Sequence, residues 1–220
     1  MTKIPFATVG FDLDGTLLDT SRDLGAALNH ALAHIGRAPV PDTAVSGLIG
    51  GGSRLMLGRA LELTGGAAGI DQDALYPVLL GYYEANIAVH TALYPGGAAM
   101  LDALEAAGTR LALVTNKPHH LAMKLLDALG LTQRFGWVIG GGGGYPLKPA
   151  PDVLLAMAER LGGGAAAYVG DTTYDTRAAA AAGMPCIAVS FGFNDAPPTQ
   201  LGAAAVIDHF DKLVPALSRL

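Results

Sequence analysis

Short, almost wholly apolar runs alternate with helix-like blocks along most of this chain. The first run is Phe6 to Leu13, with little polarity on either face. Such a run reads as a strand buried on both sides, as in a parallel sheet. From Thr20 to about Ala92 the pattern is helical, with no convincing strand. Thr20 or Ser21 caps a first helix that Gly36 and Pro39 end. Pro41 and Asp42 open a second, short helix, broken at Gly50, Gly51 and Gly52. Ser53 caps Arg54 to Leu63, which Gly65 and Gly66 close. A longer helix follows from Asp71 to about Val89. Beyond Tyr94-Pro95-Gly96, helices at 97–107, 118–129, 151–161 and 174–182 precede strands at 110–115, 135–139, 166–169 and 185–190. A weak strand at 204–207 precedes a last helix at 210–220.

Strands alternating with ten-residue helices predict the α/β class, a doubly wound parallel sheet. The first strand belongs to the same sheet, so the helical block is an insertion. The expected division is a Rossmann-like core of residues 1–19 and 93–220, with an all-helical cap domain at 20–92.

Composition narrows the class. At 51% apolar and 15% charged residues, the chain cannot be a disordered one. Its 39 Ala and 30 Gly predict closely packed, Ala-lined helices rather than an aromatic core. A single cysteine, Cys186, removes any disulfide framework. It lies in an apolar run without basic neighbours and is expected to be a core thiol. No charge-free stretch reaches the roughly 18 residues of a spanning helix. The N-terminus lacks a long apolar run with a cleavage site, so a cytoplasmic setting is expected. A net charge of −5 argues against nucleic acid or an anionic membrane as partner. It also raises a question: an anionic substrate would need a local cationic pocket.

Ligands of open parallel sheets bind at the carboxyl ends of the strands. Four such ends carry polar groups here. They are Asp12-Leu13-Asp14-Gly15-Thr16, Thr115-Asn116-Lys117, the loop containing Lys148, and Gly170-Asp171 through Asp175. Three or four carboxylates gathered at one rim cannot all stay ionised without a cation. Oxygen ligands with room for water suit Mg²⁺. Lys148, the Thr115 hydroxyl and backbone N–H groups near Asp14 and Asn116 would then receive a phosphate. Asp12 is the fixed candidate for attack on phosphorus. Asp14, two residues on, can donate and take back a proton. Gly15 permits the tight turn that follows.

In this order the residues resemble the haloacid dehalogenase superfamily of phosphatases. Asp12 to Thr16 looks like its first motif (DxDGT), Thr115-Asn116 its second, Lys148 its third, and Gly170 to Asp175 its fourth (GDxxxD). The resemblance implies that Asp12 is the nucleophile and a Mg²⁺ ligand, and Asp14 the general acid and base with its carbonyl on the metal. It implies Thr115 and Lys148 on the phosphoryl group, and Asp171 and Asp175 as further ligands. Gly15, Thr16, Arg54 and Asn116 are expected to line the substrate, and 20–92 to be the family's cap of the first type. Leu48-Ile-Gly-Gly-Gly, Leu93-Tyr-Pro-Gly-Gly, Val138-Ile-Gly-Gly and Phe191-Gly-Phe-Asn resemble the phosphoglycolate phosphatase branch. There Arg54 could meet a substrate carboxylate in bidentate fashion.

One departure stands out. The Gly140–Gly144 loop lacks the acidic residue common in the family before the Lys motif, which would loosen the loop or turn Lys148. The implied partner is a small phosphorylated metabolite, with the protein a monomer or homodimer. Alternatives are a phosphosugar mutase, a phosphatase for another small phosphate or pyrophosphate, or a non-catalytic binding protein.

Overall fold

A computed structural model describes residues 4–220. The elements run β1 (Thr8–Phe11), β2 (Leu18–Asp19), α1 (Ser21–His34), α2 (Asp42–Val45), α3 (Ser53–Leu63), α4 (Gln72–Ala85), β3 (Ala92–Leu93), α5 (Gly97–Ala106), β4 (Arg110–Pro118), α6 (His119–Ala128), β5 (Trp137–Gly141), α7 (Asp152–Arg160), β6 (Ala166–Gly170), α8 (Thr173–Ala181), β7 (Cys186–Val189), β8 (Ala205–Ile207) and α9 (Leu213–Leu217). Six strands form one parallel sheet in the order β5-β4-β1-β6-β7-β8. The expected doubly wound α/β fold is therefore present. The chain leaves β5 at one edge and returns as β6 on the far side of β1. Strand order reverses there, which opens a crevice at the carboxyl ends of β1, β4 and β6.

All four residues of β1 are buried, as a central parallel strand requires. A Cβ at Gly10 would overlap the Met157 sulfur and crowd the Tyr168 ring. Glycine lets α7 and β6 close onto β1. One sheet face packs Val114, Leu154, Met157 and Tyr168 together with Cys186. Burial pushes the Cys186 thiol up from its usual range, consistent with a core thiol. The other face shares a continuous core with the helical segment.

That segment coheres through helical periodicity. Leu24, Ala27, Leu28, Ala31 and Leu32 line one stripe of α1, and Leu75, Leu79 and Tyr83 line one of α4; all are buried. Asp71 caps α4 by accepting from the N–H groups of Asp73 and Ala74. Where the chain enters and leaves, Leu18 pairs with Leu93 and Asp19 with Ala92 in a two-stranded antiparallel ribbon. The sequence pattern predicts neither β2 nor β3, because two residues are too few to show alternation. Just inside, the Asp23 carboxylate accepts from the His90 and Thr91 N–H groups and the Thr91 hydroxyl. Asp19 accepts from the N–H and hydroxyl of Ser21.

Several boundaries differ from the sequence expectation. The first strand spans 8–11 rather than 6–13, and α4 ends at Ala85 rather than near Val89. The final helix shortens to a 3₁₀ turn at Phe210–Lys212 followed by α9. Most consequential, β4 continues to Pro118, three residues beyond the expected end. Among the described residues no helix is long and apolar enough to cross a membrane.

Candidate active site

The crevice gathers the carboxylates. Asp12 follows β1, its N–H held by the Val169 carbonyl at 2.9 Å. Asp171 follows β6 and is fully buried, its oxygens accepting from the Thr16 hydroxyl at 2.8 Å and the Phe193 N–H at 2.7 Å. Asp175 sits in the first turn of α8, where its Oδ2 accepts from the Thr172 N–H and hydroxyl in a capping box. One oxygen from each of Asp12, Asp171 and Asp175 lies within 4.8 Å of the others.

Three carboxylates this close repel one another. Asp12 is pushed up to about 6, by burial first, with Lys148 opposing and Asp175 reinforcing. Asp171 is raised well above the carboxylate range by burial and then by Asp175 and Asp12. Asp12 Oδ1 is buried without a well-aligned hydrogen-bond partner among the described residues. A buried cluster of three hard oxygen donors, one of them without an aligned hydrogen bond, fits a divalent cation such as Mg²⁺.

Lys148 is buried at the centre of a cage. Its Nζ donates to the Val114 carbonyl at 3.1 Å, the Tyr168 hydroxyl at 2.8 Å and Asp175 Oδ1 at 2.6 Å, and lies 2.9 Å from Asp12 Oδ1. Burial alone would lower its pKa. The charges of Asp12 and Asp175 outweigh that and hold it well above the usual lysine value. The expectation of a loose Gly140–Gly144 loop is met by an unforeseen clamp. The Asn116 amide donates to the Lys148 carbonyl and accepts from the Lys148 N–H, each at 2.9 Å.

Asp14 faces away from this cluster. Lys117 Nζ grips both its oxygens, at 2.9 and 3.1 Å. Lys117 is itself buried and stands 4.4 Å from the centre of the Tyr83 ring of α4. Burial would lower its pKa, but Asp14 and then Tyr83 raise it above the ordinary value. The sequence places Lys117 at the same rim but gives it no role, and it does not point to Tyr83. The extended β4 supplies the missing geometry: in a strand, Thr115 and Lys117 share a face and Asn116 takes the other.

Asp12, Asp14, Thr115, Lys148, Asp171 and Asp175 all line one cleft, with Asn116 beside them. The other expected substrate contacts have different partners. The Thr16 hydroxyl serves Asp171. The Gly15 N–H goes to the Leu18 carbonyl at 2.9 Å. Gly15 has φ 81°, and a Cβ there would collide with Asp171 and Phe193. It keeps the turn tight. The Asn116 side chain is spent on Lys148. Arg54 pairs with exposed Asp73, stacks over Tyr76 at 4.3 Å, and lines a separate open depression. Its position at the start of α3 points the long side chain outward along the helix, away from the cleft.

The roof of the cleft comes from the helical segment: the Gly50–Ser53 loop, Met56, Leu79, Leu80 and Tyr83. The enclosed space is about 50 Å³.

A parallel sheet with a carboxylate cluster and a caged lysine at its switch point defines an α/β enzyme built to handle an anion. The model of the haloacid dehalogenase-like hydrolases matches residues 6–183, and the chain belongs to that family. It is 40% identical over 221 residues to the phosphoglycolate phosphatase of Agrobacterium fabrum, covering 99% of this chain and 95% of the relative. A predicted phosphoglycolate phosphatase from Haemophilus somnus has a similar crystal structure, with a TM-score of 0.89, 28% identity, and 96% and 97% of the two chains covered. CbbY from Rhodobacter sphaeroides, solved in complex with phosphate, aligns with a TM-score of 0.80 at 25% identity, over 96% of this chain and 99% of its own.

Proposed function

We propose that this chain is a Mg²⁺-dependent phosphomonoester hydrolase that works through an aspartyl-phosphate on Asp12, with 2-phosphoglycolate as substrate. The observation that carries the reading is Asp12 at the end of β1, beside Lys148 and within reach of Asp171 and Asp175. The relatives' phosphoglycolate phosphatase activity supports the choice of substrate.

Asp12, Asp171 and Asp175 would hold the metal, with the Asp14 carbonyl completing the set. When bound, Mg²⁺ neutralises the carboxylates and the phosphoryl oxygens. An Asp12 oxygen attacks phosphorus as the bond to the ester oxygen breaks. Asp14 gives its proton to that departing oxygen, then takes one from the water that hydrolyses the acyl phosphate. Lys148 and the Thr115 hydroxyl hold the phosphoryl oxygens. Residues 20–92 act as a cap that excludes bulk water.

Phosphate release is measured from 2-phosphoglycolate, a hexose 1-phosphate and pyrophosphate, with and without Mg²⁺. The expected result is Mg²⁺-dependent release, fastest from 2-phosphoglycolate. Sugar rearrangement without free phosphate overturns the reading.

A further inference from the structure

Among the described residues the cleft is lined by two cationic side chains, Lys117 and Lys148. Lys148 is held against the floor by three hydrogen bonds and the Asp12 contact, and it is the cation that serves the phosphoryl group. Arg54 lies outside the cleft, paired with Asp73. A substrate with a second negative charge therefore has Lys117 as its available cation. Beside Lys117 stands Tyr83, whose hydroxyl is buried in the cleft lining with no hydrogen-bond partner among the described residues. A buried hydroxyl without a partner carries a desolvation cost that a bound acceptor removes. Cation and orphaned donor lie on the Asp14 side, where the ester oxygen's substituent must sit. The walls around them, Leu24, Met56 and Leu79, are apolar.

We propose that Lys117 and the Tyr83 hydroxyl form the subsite for the substrate's own carboxylate, and that its arrival draws Lys117 off Asp14. Resting Asp14 has both oxygens tied to Lys117. A carboxylate two atoms from the ester oxygen competes for the same ammonium. Its binding frees Asp14 to turn toward the ester oxygen. Recognition of the acid and release of the acid–base group become one event. A phosphate ester whose alcohol part carries no charge leaves the ion pair intact and is turned over slowly. This inference rests on the phosphoglycolate reading.

The test compares kcat/KM for 2-phosphoglycolate and ethyl phosphate, which lacks the carboxylate, in the parent protein, Lys117→Met and Tyr83→Phe. The parent is expected to favour the acid by at least about 30-fold. Lys117→Met is expected to lose about 100-fold on 2-phosphoglycolate, the scale of a hydrogen-bonded charge, and at least about tenfold less than that on ethyl phosphate, so that the preference for the acid collapses. Tyr83→Phe removes only an unpartnered hydroxyl, so the fold persists. It is expected to raise KM for 2-phosphoglycolate about tenfold and leave ethyl phosphate unchanged. Equal losses on both substrates in Lys117→Met, with a parent-like melting curve, overturn the inference while the substrate reading stands. If Lys117→Met does not fold, an unchanged KM in Tyr83→Phe overturns it alone. A parent that does not prefer the acid refutes the substrate and this subsite together. A parent inactive on every phosphate ester refutes the phosphatase reading itself.

Discussion

On the floor of the cleft, the functional side chains are held from several sides. Asp171 accepts from Thr16 and Phe193, Asp175 from Thr172 and Lys148, and Lys148 is pinned at both its backbone and its ammonium. The roof is different. It offers glycine backbone, apolar side chains and one hydroxyl without a partner. The floor is preorganised for one charge distribution, where reorganisation would cost rate. The roof holds few polar groups in fixed geometry, so it can be altered without disturbing the chemistry beneath. Conserving a reaction and changing its substrate are thereby separated in space.

The sharpest way to break this division is Asp12→Asn. Turnover should fall by at least about 10⁴-fold with the circular dichroism spectrum unchanged. Turnover at the parent rate would remove the floor from the chemistry. The same variant reports on electrostatic strain. Asp12 is raised from 3.8 to about 6. Folding therefore favours its protonated form, and the stability this contributes is full below about pH 4 and lost as pH rises through about 6. Without metal, Asp12→Asn should melt above the parent at pH 7, and the gap should close toward pH 4. A gap that widened on acidification would contradict the raised value.

Next in size is Thr16→Val, which removes a support from Asp171. The Mg²⁺ concentration for half-maximal activity should rise about 10- to 100-fold, with kcat at saturating Mg²⁺ changed little. An unaltered Mg²⁺ requirement would mean the Phe193 N–H alone orients Asp171. Asn116→Ala should lower kcat about tenfold for every substrate alike, from two lost hydrogen bonds to Lys148. A loss confined to one substrate would move Asn116 from floor to roof. Smallest is Arg54→Ala, with kcat/KM within about twofold and stability within about 1 kcal/mol, as for other exposed ion pairs. A hundredfold loss on acidic substrates alone would bring Arg54 into the cleft.

Floor and roof also differed in what the sequence revealed. Floor carboxylates follow strand ends, and a strand end is visible wherever an apolar run stops. Asp12, Asp171 and Asp175 were readable for that reason, and so was the parallel sheet. Partnerships between strands were not. Nothing local says that Asn116 reaches across 32 positions to Lys148, or that Thr16 spans 155 to Asp171. Lys117 stood at the rim in the sequence, but its grip on Asp14, 103 positions away, did not show. Tyr83 lies in a helix whose periodicity marks it as core, which it also is. Its unpartnered hydroxyl emerges only once α4 is docked over the cleft. Arg54's pairing was equally invisible, because it depends on the α3–α4 packing that brings Asp73 alongside.

The two-residue ribbon of β2 and β3 has a consequence for the molecule's history. Asp19 and Ala92 face each other in register, about 5 Å apart as paired strands must be. The intervening helices thus leave the sheet and rejoin it at a single point. A turn of two residues would suffice to reconnect the ends, and β1 would still lead into α5 and β4 in the same order. The chain is wired like a socket. Helical units of different length could be exchanged there by insertion or loss, and the sheet with its carboxylates would keep its register throughout.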